Sequence, residues 1–417
     1  MIANSKIGRR FAFVLPRYGK GFAGGAEMLC GELARKLAIR GDHIEILTTC
    51  ARDNRSWANE LEPGISEIDG ITVRRFKVDQ RDLESWIPKQ LAIHDGMRLP
   101  LEDQLEWMQH SVNSEGLYRH IAEYGQSFDL IFFAPYLFGT TFWGSLIYPD
   151  RSVLVPCLHD ECYAYTEVIQ SMFRQVKGCL FNTLPEQELC HRLYGPVKGG
   201  VVGMGFEPDG ASGDCPTYFD DNLPYLVYLG RKETGKNVHL LLDLFVEAKD
   251  KALIPERVKL VIAGGGDFAV LHRNHLLDRV DLVDLPHISE EQKKSLLRHA
   301  VCLVQPSLNE SFSIVLMEAW LQKTPVVVSA DCAVTRHQVV NSGGGLYYSG
   351  LDDFSGVINC LSTESNLRQE LGNAGQGYVL TEYDWDAVLN RFDSTLDLLL
   401  GDSEQTTGKS RACSNVI

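Results

Sequence analysis

The sequence predicts an α/β protein built as two doubly wound domains, and three observations carry that reading. At 417 residues the chain is longer than one ordinary core accommodates. Short apolar runs recur between helical stretches, the pattern of parallel strands buried on both faces. Two of these runs, Arg10–Leu15 and Tyr225–Gly230, each lead into a loop suited to phosphate, glycine-rich in the first case and basic in the second.

In the first half, Arg10–Leu15 ends at Pro16 and reads as a buried opening strand. The loop Tyr18-Gly-Lys-Gly-Phe-Ala-Gly-Gly-Ala-Glu27 follows, and Leu29, Leu33 and Leu37 mark one face of a helix that stops at Gly41. Gly19, Gly21 and Gly24 spell G-x-G-x-x-G, which raises an NAD-dependent dehydrogenase as a rival. That motif belongs directly at the strand end, with an acid closing the second strand. Here Pro16-Arg-Tyr18 intervene and the second strand, Ile44–Thr49, ends in threonines, so a phosphate cradle or a plain tight turn fits better. Residues 65–78 read as a hairpin turned at Asp69-Gly70. Gln80 to Gln126 is helical and irregular. Leu130 to Pro149 is uncharged and long enough to cross a bilayer, but Pro135, Gly139, Thr140, Thr141, Gly144 and Ser145 favour a strand, a turn and a packed helix. Ser152–Leu158 is a further strand, with His159-Asp-Glu161 at its carboxyl end, where open α/β sheets place ligands.

A stretch rich in Asp, Gly, Ser and Pro from about Pro208 to Pro224 marks the boundary. The expected division is 1–207, 208–382, a final helix 383–402 returning to the first domain, and a disordered tail 403–417. After Tyr225–Gly230 come Arg231 and Lys236, cations at a strand end. Val258–Asp267 is strand then glycine turn, and Leu285–Glu291 closes a strand and opens a helix capped by Ser289. Gln305–Trp320 carries Glu310 and Glu318. If Asn309 or Ser311 caps the helix, the two carboxylates stand about 12 Å apart, a span suited to a sugar nucleotide. Glu318 lies between Ile314 and Leu321 on an apolar stripe, where a carboxylate needs a polar partner: ribose hydroxyls on the functional reading, a lysine on the bland one. Asp384 and Asp386 form D-x-D at a helix start, read as capping and not as a metal site.

Pro306-Ser-Leu-Asn-Glu-Ser-Phe-Ser-Ile-Val-Leu-Met-Glu-Ala319 with Thr324–Val328 resembles the signature of the retaining glycosyltransferases of family 4, which have the GT-B fold. The resemblance implies that Glu310 touches the donor sugar and Glu318 the ribose. It assigns the diphosphate to Arg231, Lys236 and the helix start at Phe312, Ser313 and Ile314, with Gly265 passing beneath the nucleotide. It also implies a base read by backbone at His287 and Ile288, phosphate met by Gly24 and Gly25, and His159 at the reacting centre, with Asp160 and Glu161 as weaker candidates. Ser311 and Ser313 stand where glycine is frequent in the family, and its G-G-x-P-E is missing downstream. The implied activity is hexose transfer, mannose among the candidates, from a UDP or GDP sugar to a glycan or lipid-linked acceptor in surface polysaccharide synthesis. No metal or other cofactor is called for. A sugar-nucleotide or glycan binder without catalysis, and an epimerase or hydrolase on the same fold, are the alternatives.

Composition bounds the partners. A formal charge of −15 argues against nucleic acid and against broad binding to anionic lipid, although a local basic patch allows peripheral membrane contact. Eleven scattered cysteines without C-x-x-C suit a reducing compartment, and the first ten residues lack the apolar core of a signal peptide. A cytoplasmic protein, with the inner face of a membrane as an option, is the expectation.

Overall fold

The computed structural model describes residues 8–22, 24–208, 216–221 and 223–401. The expected tail, residues 1–7 and part of the expected linker lie outside them. The chain divides into two compact units, one comprising residues up to Gly205 and from Val388 onward, the other Phe206–Ala387.

The first unit holds β1 (Arg10–Leu15), α1 (Gly25–Arg40), β2 (His43–Thr49), β3 (Gly64–Ile68), β4 (Ile71–Phe76), α2 (Leu83–His94), α3 (Leu101–Gln109), α4 (Glu115–Tyr124), β5 (Leu130–Phe133), α5 (Gly139–Ser145), β6 (Ser152–Leu154), α6 (Glu167–Gln175), β7 (Gly178–Phe181), α7 (Leu184–Tyr194) and β8 (Gly199–Val201). Its sheet runs β3-β4-β2-β1-β5-β6-β7-β8, parallel except for β3 against β4. Asp69 and Gly70 both take positive φ, the geometry of a two-residue hairpin turn that matches strand twist. Phe11–Leu15 and Leu130–Phe133 are buried on both faces, which accounts for their unbroken apolar sequence. The uncharged stretch after Leu130 is the buried strand β5 and the seven-residue α5. Among the described residues no helix is long and apolar enough to cross a membrane.

The second unit holds β9 (Tyr225–Leu229), α8 (Val238–Asp250), β10 (Lys259–Ala263), β11 (Leu282–Leu285), α9 (Glu290–Arg298), β12 (Cys302–Gln305), α10 (Ile314–Leu321), β13 (Val326–Ser329), α11 (Ala333–Ser342), β14 (Gly345–Tyr348), α12 (Leu351–Thr363) and α13 (Ser365–Glu382). Its wholly parallel sheet has the order β11-β10-β9-β12-β13-β14. The chain builds outward from β9 in one direction and then in the other, so the order reverses between β9 and β12. That reversal leaves a crevice at the strands' carboxyl ends.

Helix α14 (Trp385–Leu400) closes the described chain and from Val388 belongs to the first unit. Phe392 lies edge-on to Phe11, with ring centroids 6.1 Å apart, and Asp393 binds Arg9 and Arg40 at 3.0 and 2.8 Å. Asp384 accepts the backbone N–H of Ala387 at 2.7 Å, the capping role its position suggested. None of the cysteines of the described residues is in a disulfide.

Candidate functional site

The second unit gathers its charged candidates at the reversal between β9 and β12. The loop after β9 carries Arg231, Lys232 and Lys236; the loop after β12 carries Glu310. Lys236 Nζ binds Glu310 Oε1 at 2.8 Å, and Gln305 Nε2 approaches the same oxygen at 3.5 Å. Asn237, held at φ 55°, donates its side-chain N–H to the Pro306 carbonyl at 3.3 Å and so ties one loop to the other. Arg231 is exposed and pairs with Glu233 at 3.0 Å, so its guanidinium is within reach of solvent-borne anions.

Lys232 differs from its two basic neighbours. It is only 3% exposed, binds Asp284 Oδ1 at 2.5 Å and the Leu285 carbonyl at 2.9 Å, and its own N–H donates to Gly265 O at 2.8 Å. It therefore fastens the cation-bearing loop to the Gly264–Gly266 turn and to the end of β11. Gly264 and Gly266 take positive φ, and a Cβ on Gly264 would lie 2.1 Å from the Gly230 carbonyl, so the two turns approach as closely as backbone allows. Gly265 between them is exposed, with nothing in front of it. His287 and Ile288 follow β11 on a loop that ends at Ser289, the N-cap of α9, whose hydroxyl and Gln292 make a reciprocal capping box.

Helix α10 begins later than an Asn309 or Ser311 cap would allow. Phe312 is buried against Phe206 and Tyr383, with ring centroids at 6.2 and 5.1 Å, so the chain runs on to place that ring before it coils. Ser313 becomes the N-cap at φ 69°, with Ile314 the first helical residue. The Ser313 hydroxyl is buried and has no hydrogen-bond partner among the described residues, nor does Gln305 Oε1. Orphaned polar atoms of this kind are costly unless something meets them, and Ser313 caps a helix N-terminus that favours an anion.

Glu318 sits one helical turn beyond Ile314 and meets Lys293 of α9 at 2.6 Å; Lys293 also binds Glu290 at 2.7 Å. Burial pushes the Glu318 carboxyl above its ordinary range, and Lys293 draws it part of the way back. Burial lowers the Lys293 ammonium, but Glu318 and Glu290 outweigh it and leave it raised. The polar partner required on the apolar stripe is thus a lysine of the protein itself.

The first unit has its own reversal, between β1 and β5, and the glycine loop follows β1 there. Gly24 caps α1 and Gly25 is its first residue. Glu27 folds back onto this terminus: its carboxylate pairs with Arg17 Nε at 2.7 Å, and a Cβ on Gly24 would lie 2.0 Å from Glu27 Oε2. Gly25 has open space before it. His159 lies after β6, one strand away from the reversal. Its Nδ1 is 3.6 Å from Glu161 Oε1, which accepts the Tyr136 hydroxyl at 2.7 Å. Burial alone would raise the Glu161 carboxyl; hydrogen bonds and charge from His159, with the Tyr136 hydroxyl, bring it below its ordinary value. Asp160 instead pairs outward with Arg192 at 2.6 Å.

Sequence reasoning missed Glu186, which is 1% exposed. Its two oxygens accept the Leu158 and Asn182 N–H groups at 2.6 and 2.5 Å, joining the segments after β6 and β7 just before His159. Burial pushes its carboxyl up to about 8 against the pull of those donors. Its sequence context, Thr183-Leu-Pro-Glu186, is that of an ordinary helix start with an acid in the first turn, so it gave no separate signal. Among the described residues no group of three or more His, Cys, Asp and Glu side chains is placed to hold a metal ion.

Residues 217–378 match the family described as glycosyl transferases group 1. Over 411 residues the chain is 24% identical to an uncharacterized glycosyltransferase of Methanocaldococcus jannaschii, covering 91% of this chain and 95% of that one. It is 30% identical over 203 residues to the human alpha-1,3/1,6-mannosyltransferase ALG2, covering 41% of this chain and 46% of the relative. Among solved structures, Anabaena HepE in complex with UDP and glucose superposes with a TM-score of 0.68 at 15% identity, over 93% of this chain and 99% of that one. With two doubly wound units and charged loops at a strand-order reversal, the chain has the GT-B fold, and its residues 217–378 match the glycosyl transferases group 1.

Proposed function

We propose that this glycosyltransferase moves a hexose from a nucleoside-diphosphate sugar to a glycan or lipid-linked acceptor with retention at the anomeric carbon. The observation that carries the reading is the Lys236–Glu310 pair across the β9/β12 reversal, beside Arg231 and the α10 N-terminus with its orphaned Ser313 hydroxyl. A diphosphate supplies what these groups lack. Its oxygens accept from Lys236, Arg231 and the N–H groups at Ser313 and Ile314 and from the Ser313 hydroxyl, and on drawing Lys236 away it leaves Glu310 facing the sugar. Glu318 accepts from ribose hydroxyls, Gly265 lies under the nucleotide, and backbone at His287 and Ile288 reads the base. By the same family pattern, Gly24 and Gly25 are assigned to phosphate and His159 to the acceptor.

In the reaction the bond between the anomeric carbon and the diphosphate oxygen breaks while the acceptor oxygen bonds to the same face of that carbon. The acceptor proton passes to the leaving diphosphate, whose charge Arg231, Lys236 and the α10 terminus stabilise. The partial likeness to a mannosyltransferase and the UDP-bound neighbour favour mannose or another hexose, on GDP or UDP, and surface polysaccharide as the destination. The test is incubation of the purified protein with UDP- and GDP-hexoses and a panel of glycan and lipid-linked acceptors, with detection of released nucleotide and the product's anomeric configuration. Acceptor-dependent nucleotide release with a product anomer matching the donor is expected. Nucleotide binding without turnover on any acceptor would leave a binding protein, and an inverted anomer would remove the retaining mechanism.

A further inference from the structure

We propose that Lys293 is a positioning residue for the donor, holding Glu318 ionised and aimed so that it can accept two ribose hydroxyls. The inference rests on Glu318 being the ribose-binding group. Its independent basis is geometric: one ammonium lies 2.6 Å from Glu318 and 2.7 Å from Glu290, on a helix whose N-cap directly follows His287 and Ile288. Lys293 thus connects the segment assigned to the base with the residue assigned to the ribose. Its three N–H donors can serve both carboxylates at once, which fixes the Glu318 side chain against rotation.

The requirement follows from chemistry. A protonated Glu318 would give up one acceptor site and present a donor to hydroxyls that already donate. The charged groups acting most strongly on Glu318 among the described residues are Lys293, Glu290 and Lys294, all from α9. Strands β12 and β13, which also pack on α10, contain no charged residue, and α13 meets α10 through Gly375, Gln376 and Tyr378. Glu290 and burial both favour protonation of Glu318, so Lys293 is the principal group opposing them. Lys294 adds less.

The test is calorimetric binding of UDP and of GDP at a mildly acidic and at a mildly alkaline pH, because burial raises the Glu318 carboxyl above its ordinary range. It compares the whole chain with its Lys293→Met, Lys293→Arg, Glu290→Gln and Glu318→Gln variants. Titration of the nucleotide's own phosphate is common to all and cancels in each ratio to the unsubstituted chain. For Lys293→Met the expected result is an affinity loss at the lower pH at least about tenfold greater than at the higher, the equivalent of one pH unit in the carboxyl's midpoint. Lys293→Arg should restore most of it, since a guanidinium keeps the charge and can span two carboxylates. Glu290→Gln, a surface change that leaves the fold intact, should strengthen binding at the lower pH. Lys293→Met binding with unchanged affinity at both pH values, or Glu290→Gln weakening binding only at the lower pH, would overturn the proposal. Glu318→Gln separates the two claims. Weak, pH-independent binding by that variant keeps the ribose assignment whatever Lys293 does, whereas unchanged affinity removes the assignment and the proposal with it.

Discussion

Both units reverse strand order beside their first strand, yet the two crevices differ in how their helix N-termini are satisfied. In the first unit the α1 terminus is met by the chain's own acid, Glu27, which is neutralised in turn by Arg17. In the second, the first turn of α10 carries no acid; its cap Ser313 has a hydroxyl without a partner among the described residues, and Glu310 in the preceding loop is held by Lys236. A terminus satisfied from within gains little from an external phosphate, and one left unsatisfied gains more. On the proposed function, the second unit is therefore expected to bind an anion more strongly than the Gly24–Gly25 turn of the first.

The largest effect expected is on turnover. Glu310→Gln should lower kcat about 10²-fold or more while nucleotide affinity changes little, because its proposed role is at the sugar and in the transition state. Steady-state kinetics beside nucleotide titration checks this. If His159→Ala cost more than Glu310→Gln, the chemistry would be centred in the first unit and the comparison would be reversed.

Next comes Lys236→Ala, expected to weaken UDP or GDP binding by about 10- to 100-fold through loss of a charge-assisted contact. Binding unaffected by that change would mean that the Lys236–Glu310 pair is merely structural.

A smaller effect, on stability, sharpens the account of the first unit. Glu186 has a folded pKa of about 8, above that of a carboxyl in the unfolded chain, so the folded state holds a proton that the unfolded state has released. Its contribution is therefore fully present below the unfolded value of about 4.3 and is lost as pH rises through about 8. Denaturation of the chain across that range should show stability falling with pH. Glu186→Gln should flatten the slope while lowering stability by about 1–3 kcal/mol, since its amide turns an N–H toward one of the two backbone donors. An unchanged slope would show that Glu186 is ionised in the fold.

The smallest effect belongs to Gly24→Ala. Its Cβ would press on the Glu27 carboxylate, the movable end of a flexible side chain. Stability should change by no more than about 1 kcal/mol and nucleotide affinity by about threefold. A loss as large as that of Lys236→Ala would put the first unit's loop on a par with the second's.

The sequence by itself determined what depends on neighbours within a few positions. Apolar runs located the strands, Asp69-Gly70 the hairpin turn, Ser289 the start of α9, Gly41 the end of α1 and Asp384 the cap before α14, because periodicity and capping act within a turn or two. The ordered segment from Pro306 to Ala319 made the family legible as well. Only the tertiary structure decided the partners of the two glutamates. Lys236 and Lys293 lie 74 and 25 residues from Glu310 and Glu318, and they reach them because β9 pairs with β12 and because α9 packs on α10. It also moved the cap of α10 to Ser313 by drawing Phe312 between Phe206 and Tyr383, and it gave Glu186 two strand ends to hold. Such contacts depend on which strands become neighbours in the sheet, and that is decided by burial of the whole core and not by any local run of residues.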